Sequence, residues 1–277
     1  MFDALIVGCG YLGRRAAARW VAAGRSVAAL TRRGAATLSN LGLTPVVGDV
    51  LDPATLRGLP PARTVLYAVG MDRSAGRTMR EVYVGGLGHV LAAVPPPGRF
   101  LYVSSTGVYG QTGGEWVDES APTTPTEEAG RVVLEAEQLL RAEMPAAVVL
   151  RFAGIYGPDR LLRKKQLTAG EPLAGDPEKW LNLVHVADGA DAVLAAEARA
   201  VPGETYHVAD GEPVRRREFF TLLAELLGAP PAKFDPEPEP GAANRRVSNR
   251  KAREQLGWVP RFGSYREGLP AAVAESA

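Results

Sequence analysis

Six residues near the start of the chain, Gly8-Cys9-Gly10-Tyr11-Leu12-Gly13, have the G-x-G-x-x-G spacing that lets backbone N–H groups approach a pyrophosphate. The first glycine allows a tight turn, the second a close approach to the phosphates, and the third close packing of the helix that follows. The free N–H groups and positive end of that helix would then face the anion. A site for NAD(H) usually adds a carboxylate about 20 residues further on, to hold the ribose 2′-hydroxyl. Here that place reads Leu30-Thr31-Arg32-Arg33. A guanidinium binds a 2′-phosphate through charge-assisted, often two-pronged hydrogen bonds, whereas a carboxylate repels it. No acidic residue lies between Asp3 and Asp49, while Arg14, Arg15, Arg19, Arg25, Arg32 and Arg33 all do. NADP(H) is therefore expected over NAD(H), with Asp49 placed to accept from the adenine amino group.

The elements that must hold these residues follow from the apolar patterning. A short apolar run at 4–7 reads as a buried parallel strand, and further runs at 27–30, 44–47, 64–68, 100–103 and 147–150 read as the strands that follow it. Helical spacing at 11–23, 77–94 and 126–141 alternates with them. Strands and helices in alternation predict an α/β fold, a doubly wound Rossmann-type parallel sheet covered on both faces. Residues 1–155 are expected to form the dinucleotide-binding domain. Glycines and prolines then loosen the pattern, so 156–277 are expected to form a small C-terminal substrate lobe, with parts near 183–208 returning to the sheet. Within it 186–198 and 215–227 read as helices, 204–208 as a strand, and 235–240 as an extended connector.

Composition narrows the function classes. The chain has 277 residues, 46% hydrophobic and 23% charged, which suits a globular enzyme and leaves no case for disorder. A net charge of +1 gives no reason to expect nucleic acid or an anionic membrane as a partner. No apolar run approaches a bilayer span, and Met1 to Val7 lacks the basic leader of a secretory signal. Cys9 is the single cysteine, so no disulfide framework is possible and a cytoplasmic location is expected. His89 and His207 show no metal-ligand spacing with each other or with Cys9, and no metal site is expected.

Further motifs carry a family resemblance. Gly8 to Gly13, Gly48-Asp49-Val50-Leu51-Asp52 and Val103-Ser104-Ser105-Thr106-Gly107-Val108-Tyr109-Gly110 are followed by Leu150-Arg151-Phe152-Ala153-Gly154-Ile155-Tyr156-Gly157-Pro158. Leu183-Val184-His185-Val186-Ala187-Asp188 and Asn249-Arg250-Lys251-Ala252-Arg253-Glu254-Gln255-Leu256-Gly257-Trp258 complete the set. With these the chain resembles the extended short-chain dehydrogenase/reductases, the NAD-dependent epimerase/dehydratase family, over essentially its whole length. The resemblance implies cofactor contacts from Gly8, Gly10, Tyr11, Leu12, Gly13, Thr31, Arg32, Arg33, Asp49 and Val50. It extends them to Ala68, Val69 and Gly70 after the fourth strand, Ser104 on the fifth and Phe152 on the sixth. It also implies that Ser105 hydrogen-bonds the reacting oxygen.

The family's acid–base pair is a Tyr-x-x-x-Lys on one helix face, in which the lysine charge lowers the tyrosine pKa. In this chain the matching positions hold Ala129 and Val133, and the first lysine anywhere is Lys164. Tyr83 stands where many members carry a helix asparagine. Two readings follow. One is an atypical reductase, dehydrogenase or epimerase acting on a small polar carbonyl or sugar-like substrate with another acid. The other is a non-catalytic NADP(H)-binding sensor or scaffold. Glu127 and Glu128 are expected to complement a helix dipole, with lining of the site as the alternative, Tyr109 to pack, and His185 to be a buried structural histidine. Small residues on the helices at 77–94 and 126–141 permit a homodimer without requiring one.

Overall fold

The computed structural model describes residues 1–235 and 242–276. The expected connector at 235–240 falls, apart from its first residue, outside the described residues. Seven strands form one parallel sheet: β1 (Phe2–Val7), β2 (Val27–Thr31), β3 (Thr44–Val47), β4 (Ala62–Tyr67), β5 (Arg99–Ser105), β6 (Val148–Phe152) and β7 (Thr205–Val208). Their order across the sheet is β7-β6-β5-β4-β1-β2-β3, with every neighbouring pair parallel. This is a doubly wound Rossmann-type sheet whose seventh strand comes from the C-terminal half.

Alternation along each strand divides the core between two faces. Ala4 and Ile6 join one apolar cluster with α1 (Tyr11–Ala22), while Leu5 and Val7 join the other. The helix α2 (Ala35–Asn40) links β2 to β3 and was not anticipated, because six residues give no readable period. On the second face α3 (Gly86–Ala93) and α4 (Glu128–Glu143) bury Leu87, Val90, Ala136 and Leu140 against Tyr67, Phe100 and Tyr102.

The helix expected over 77–94 is shorter, and it opens with a π-helical turn, Glu81–Gly85, before α3. Thr78 and Glu81 set its start by a reciprocal cap. The Thr78 N–H donates to Glu81 Oε2 at 2.7 Å, and the Glu81 N–H donates to Thr78 Oγ1 at 3.2 Å. Arg77 is thereby left outside the helix.

The C-terminal half adds α5 (Lys164–Thr168), α6 (Val186–Arg199), α7 (Arg216–Leu226), α8 (Arg250–Leu256) and α9 (Tyr265–Ala274). α6 packs beside α1 on the first face of the sheet, burying Val193 and Ala196 near Trp20. A separate apolar cluster of Leu167, Phe219, Phe220, Leu223, Tyr265 and Leu269 forms the heart of the smaller lobe. Two short strand pairs tie that lobe to the sheet: Gly154–Tyr156 with Leu183–His185, and Glu115–Val117 with Arg245–Val247. Among the described residues no helix is long and apolar enough to cross a membrane.

Candidate functional site

The glycine loop connects β1 to α1 at the carboxyl end of the sheet. Gly8 has φ +96°, and a Cβ there would come within 2.5 Å of the Ala68 carbonyl. Only glycine fits both the turn and that approach. A Cβ on Gly13 would meet the Gly8 oxygen at 2.6 Å, so the third glycine lets α1 close against the loop. Gly10 differs: a Cβ there would meet nothing within 4 Å. No protein neighbour excludes a side chain at Gly10, and the open volume lies in the crevice. Gly10 also caps α1, which has no side-chain cap and no acid in its first turn. Its leading N–H groups are therefore available to an anion, as a dinucleotide pyrophosphate requires.

Two cavities meet at this loop and share Gly10, Ala68, Val69 and Gly70 as lining. One, of about 380 Å³, is bordered by Gly8, Thr31, Arg32, Asp49 and Val50, together with Asp72 and Arg77. The other, of about 680 Å³, is bordered by Tyr11, Leu12, Ser104, Ser105 and Phe152. All the sequence-predicted cofactor residues except Gly13 and Arg33 thus border one of the two. Gly13 is buried behind the loop, and Arg33 lies on an outer recess with Thr31, Arg32 and Asp72. Asp49 Oδ1 accepts from the Leu51 N–H at 2.9 Å, and His89 Nδ1 lies 2.8 Å from the Val50 carbonyl oxygen. The Thr31 hydroxyl is turned to the Arg33 carbonyl.

Ser105 ends β5, and its hydroxyl oxygen accepts from the Gly107 N–H at 3.0 Å. That contact leaves the hydroxyl hydrogen free to donate into the larger cavity. Ala129 and Val133 border the same cavity, so its wall carries a methyl and an isopropyl group at those positions. Sequence reasoning did not anticipate the cations that the second half brings here, Arg160, Lys179 and Arg245. Arg245 Nη2 donates to the Thr106 carbonyl at 2.5 Å, and its Nε is buried with no partner among the described residues. Burial lowers its pKa, against the pull of Glu127. The strand that carries it is pinned by Asn182, which donates to the Arg245 carbonyl and accepts from the Val247 N–H. The strand also pairs with Glu115–Val117, and no local motif signals that Arg245 reaches this place.

Beneath this cavity lies a buried polar network. Arg151 donates to both Glu137 oxygens, at 3.0 and 2.7 Å, and to the Tyr109 hydroxyl at 2.6 Å. The Ser104 hydroxyl donates to Glu137 Oε1 at 2.5 Å, so this predicted cofactor residue spends its side chain on the network. Tyr109 also lies 2.7 Å from His207 Nε2, while His207 Nδ1 faces the Ser248 carbonyl at 3.0 Å. A carbonyl can only accept, so Nδ1 carries the proton, and Nε2, at the shorter distance, shares the single phenol hydrogen with the Asp118 carbonyl 3.2 Å away. Burial lowers the His207 pKa to about 4 and pushes that of Tyr109 up to about 12. The imidazole is neutral and the phenol protonated at neutral pH.

Where the lobe meets the sheet, His185 is 3% exposed. Its Nδ1 accepts from the Ala187 N–H at 3.3 Å, capping α6, and burial lowers its pKa to about 4. The ring is buried, as expected from the sequence, and its Nε2 has no partner among the described residues. Asp210 is 5% exposed, with one oxygen accepting from the Glu212 N–H at 3.1 Å and the other without a partner among the described residues. Burial pushes its pKa up to about 8. No cluster of three or more His, Cys, Asp or Glu side chains suited to a metal occurs among the described residues.

The model of the NAD dependent epimerase/dehydratase family matches residues 4–209. The chain is 33% identical over 243 residues to the 4-hydroxy-2-methyl-3-oxo-4-farnesyl-3,4-dihydroquinoline-1-oxide ketoreductase of Stigmatella aurantiaca, covering 80% of this chain and 72% of that protein. It is 34% identical over 137 residues to the protein YeeZ of Escherichia coli, covering about half of each chain, 49% and 48%. A solved structure of a double mutant of DesIV, a dTDP-glucose 4,6-dehydratase from Streptomyces venezuelae, with NAD and DAU bound, aligns with a TM-score of 0.84 at 23% identity, over 98% of this chain and 96% of that one. At that identity the likeness is one of fold.

Proposed function

We propose that this chain, which belongs to the NAD dependent epimerase/dehydratase family, is an NADP(H)-dependent reductase that works without the family's Tyr-x-x-x-Lys pair. Its substrate is a small polar carbonyl or sugar-like compound. A ketoreductase among the relatives favours carbonyl reduction within the family's range of reactions. The observation that carries the reading is a single cavity on which Ser105, with a free hydroxyl hydrogen, and Arg245, with an unpartnered Nε, both lie beside the glycine loop.

A nicotinamide, when bound, would supply the hydride. The N–H groups at the start of α1 would hold the pyrophosphate, Arg32 and Arg33 the 2′-phosphate, and Asp49 the adenine amino group. Ser105 donates to the carbonyl oxygen, and the Arg245 guanidinium offsets the negative charge that develops there. Water carries the proton to that oxygen, since position 129 offers only a methyl group. Residues 1–155 form the nucleotide domain and also bring Ser105 to the substrate, 156–277 form the substrate lobe, and 183–208 are shared between them.

Calorimetric titration tests the cofactor assignment. NADPH is expected to bind about tenfold tighter than NADH, or about 1.4 kcal/mol, and Arg32→Ala to erase the difference. Ser105→Ala is expected to lower kcat for NADPH-dependent reduction of small ketones by roughly a hundredfold while leaving NADPH affinity unchanged. Tight NADPH binding with no turnover across a panel of ketones and nucleotide sugars would favour the second reading, a sensor or scaffold, which the apolar side chains at 129 and 133 also suit.

A further inference from the structure

Arg32 does not stand alone at the end of β2. Its Nη2 lies 3.2 Å from Asp72 Oδ2, a carboxylate 40 positions further along the chain that arrives from the segment after β4. Asp72 is fixed in place by its own turn. Its Oδ1 accepts from the Ser74 N–H at 3.1 Å and from the Ser74 hydroxyl at 2.6 Å, at the head of the 3-10 turn Arg73–Ala75. Both partners of the ion pair are about half exposed, 51% and 46%, and face the recess that Thr31 and Arg33 also line. The Ser74 hydrogen bonds, with help from Arg32, hold the Asp72 pKa below the ordinary carboxylate value, so the group is charged at neutral pH. The acid that is missing from the sequence after β2 is thus restored in space from elsewhere.

We propose that Asp72 sets the nucleotide preference of this site, by competing with a 2′-phosphate for Arg32 and by accepting a hydrogen bond from a 2′-hydroxyl. The proposal rests on the nucleotide reading above and adds a residue to it. A 2′-phosphate carries close to two negative charges and must displace the Asp72 carboxylate from Arg32 or sit beside it. An exposed ion pair is weakly held, so its displacement is feasible and costs some of the affinity. A 2′-hydroxyl meets the opposite situation: it donates to Asp72 and accepts from Arg32 with the pair intact. The same carboxylate therefore penalises NADP(H) and assists NAD(H), which narrows the preference that Arg32 and Arg33 would set by themselves.

Asp72→Asn keeps the Ser74 turn, because the amide oxygen can still accept both Ser74 hydrogen bonds, and removes the charge. Titration of the full chain with NADPH and with NADH, for wild type and variant, reads the effect. The variant is expected to bind NADPH roughly fivefold to tenfold more tightly and NADH more weakly, with the NADPH gain shrinking as salt is raised. Opposite signs for the two nucleotides are the signature. Equal ratios in the two proteins, or shifts in one direction for both nucleotides, overturn the role of Asp72 and leave the nucleotide site standing. Failure of the wild type to bind either nucleotide overturns both readings together.

Discussion

Replacing Glu137 with alanine is expected to destabilise the protein by about 3–5 kcal/mol, the usual cost of stranding one charge of a buried pair. Arg151 and Glu137 have side chains only 8% and 3% exposed, and the truncation would leave the guanidinium with the Tyr109 hydroxyl as its one remaining side-chain acceptor in the network. Ser104 would lose its acceptor as well. Thermal unfolding followed by circular dichroism is the measurement, and a midpoint lowered by roughly 10 °C is the expected result. Replacing both partners by apolar residues, Glu137→Leu with Arg151→Met, is expected to recover much of the loss, because no buried charge is then left over. A Glu137→Ala midpoint within a degree or two of wild type would show that water reaches the pair.

The second large effect concerns Asp210 and has a definite sign. Its carboxyl is neutral in the folded state up to about pH 8, whereas in the unfolded chain it ionises near its ordinary value of 3.8. Between those limits the folded protein holds the extra proton, so this group's contribution to stability falls as pH rises from about 4 to about 8 and is level above. Asp210→Asn cannot ionise. The variant is expected to match wild type near pH 4 and to exceed it by a few kcal/mol near pH 9. Unfolding midpoints of the two proteins at pH 5, 7 and 9 measure the divergence. A constant difference across that range would mean that Asp210 titrates normally.

Much of the fold was legible because the central strands are short apolar runs, and buried parallel strands need little else. β1, β2, β4, β5 and β6 all have this character. The phosphate loop was legible for a different reason: its function depends on glycine itself, and the sequence displays glycine directly. The strands of two or three residues were invisible, since a period cannot be read from Trp180–Leu181 or Arg245–Val247. So was α9, which carries Pro270 inside it. The site shows the same division. Residues close to one glycine loop or one strand end were found. Asp72 and Arg245 were not, because each reaches the crevice through contacts 40 and 139 positions away, with Arg32 and Thr106.

The pairing of β7 with β6 imposes an order of events on synthesis. Six of the seven sheet strands are complete by Phe152, and the last begins only at Thr205. At about 5–20 residues per second the ribosome needs roughly three to ten seconds to make the stretch between them. Until that stretch is made β6 has no partner strand on its outer side, and all five of its residues are ones that the finished protein buries. An unpaired edge of this kind is the part of the growing sheet most open to pairing with another strand.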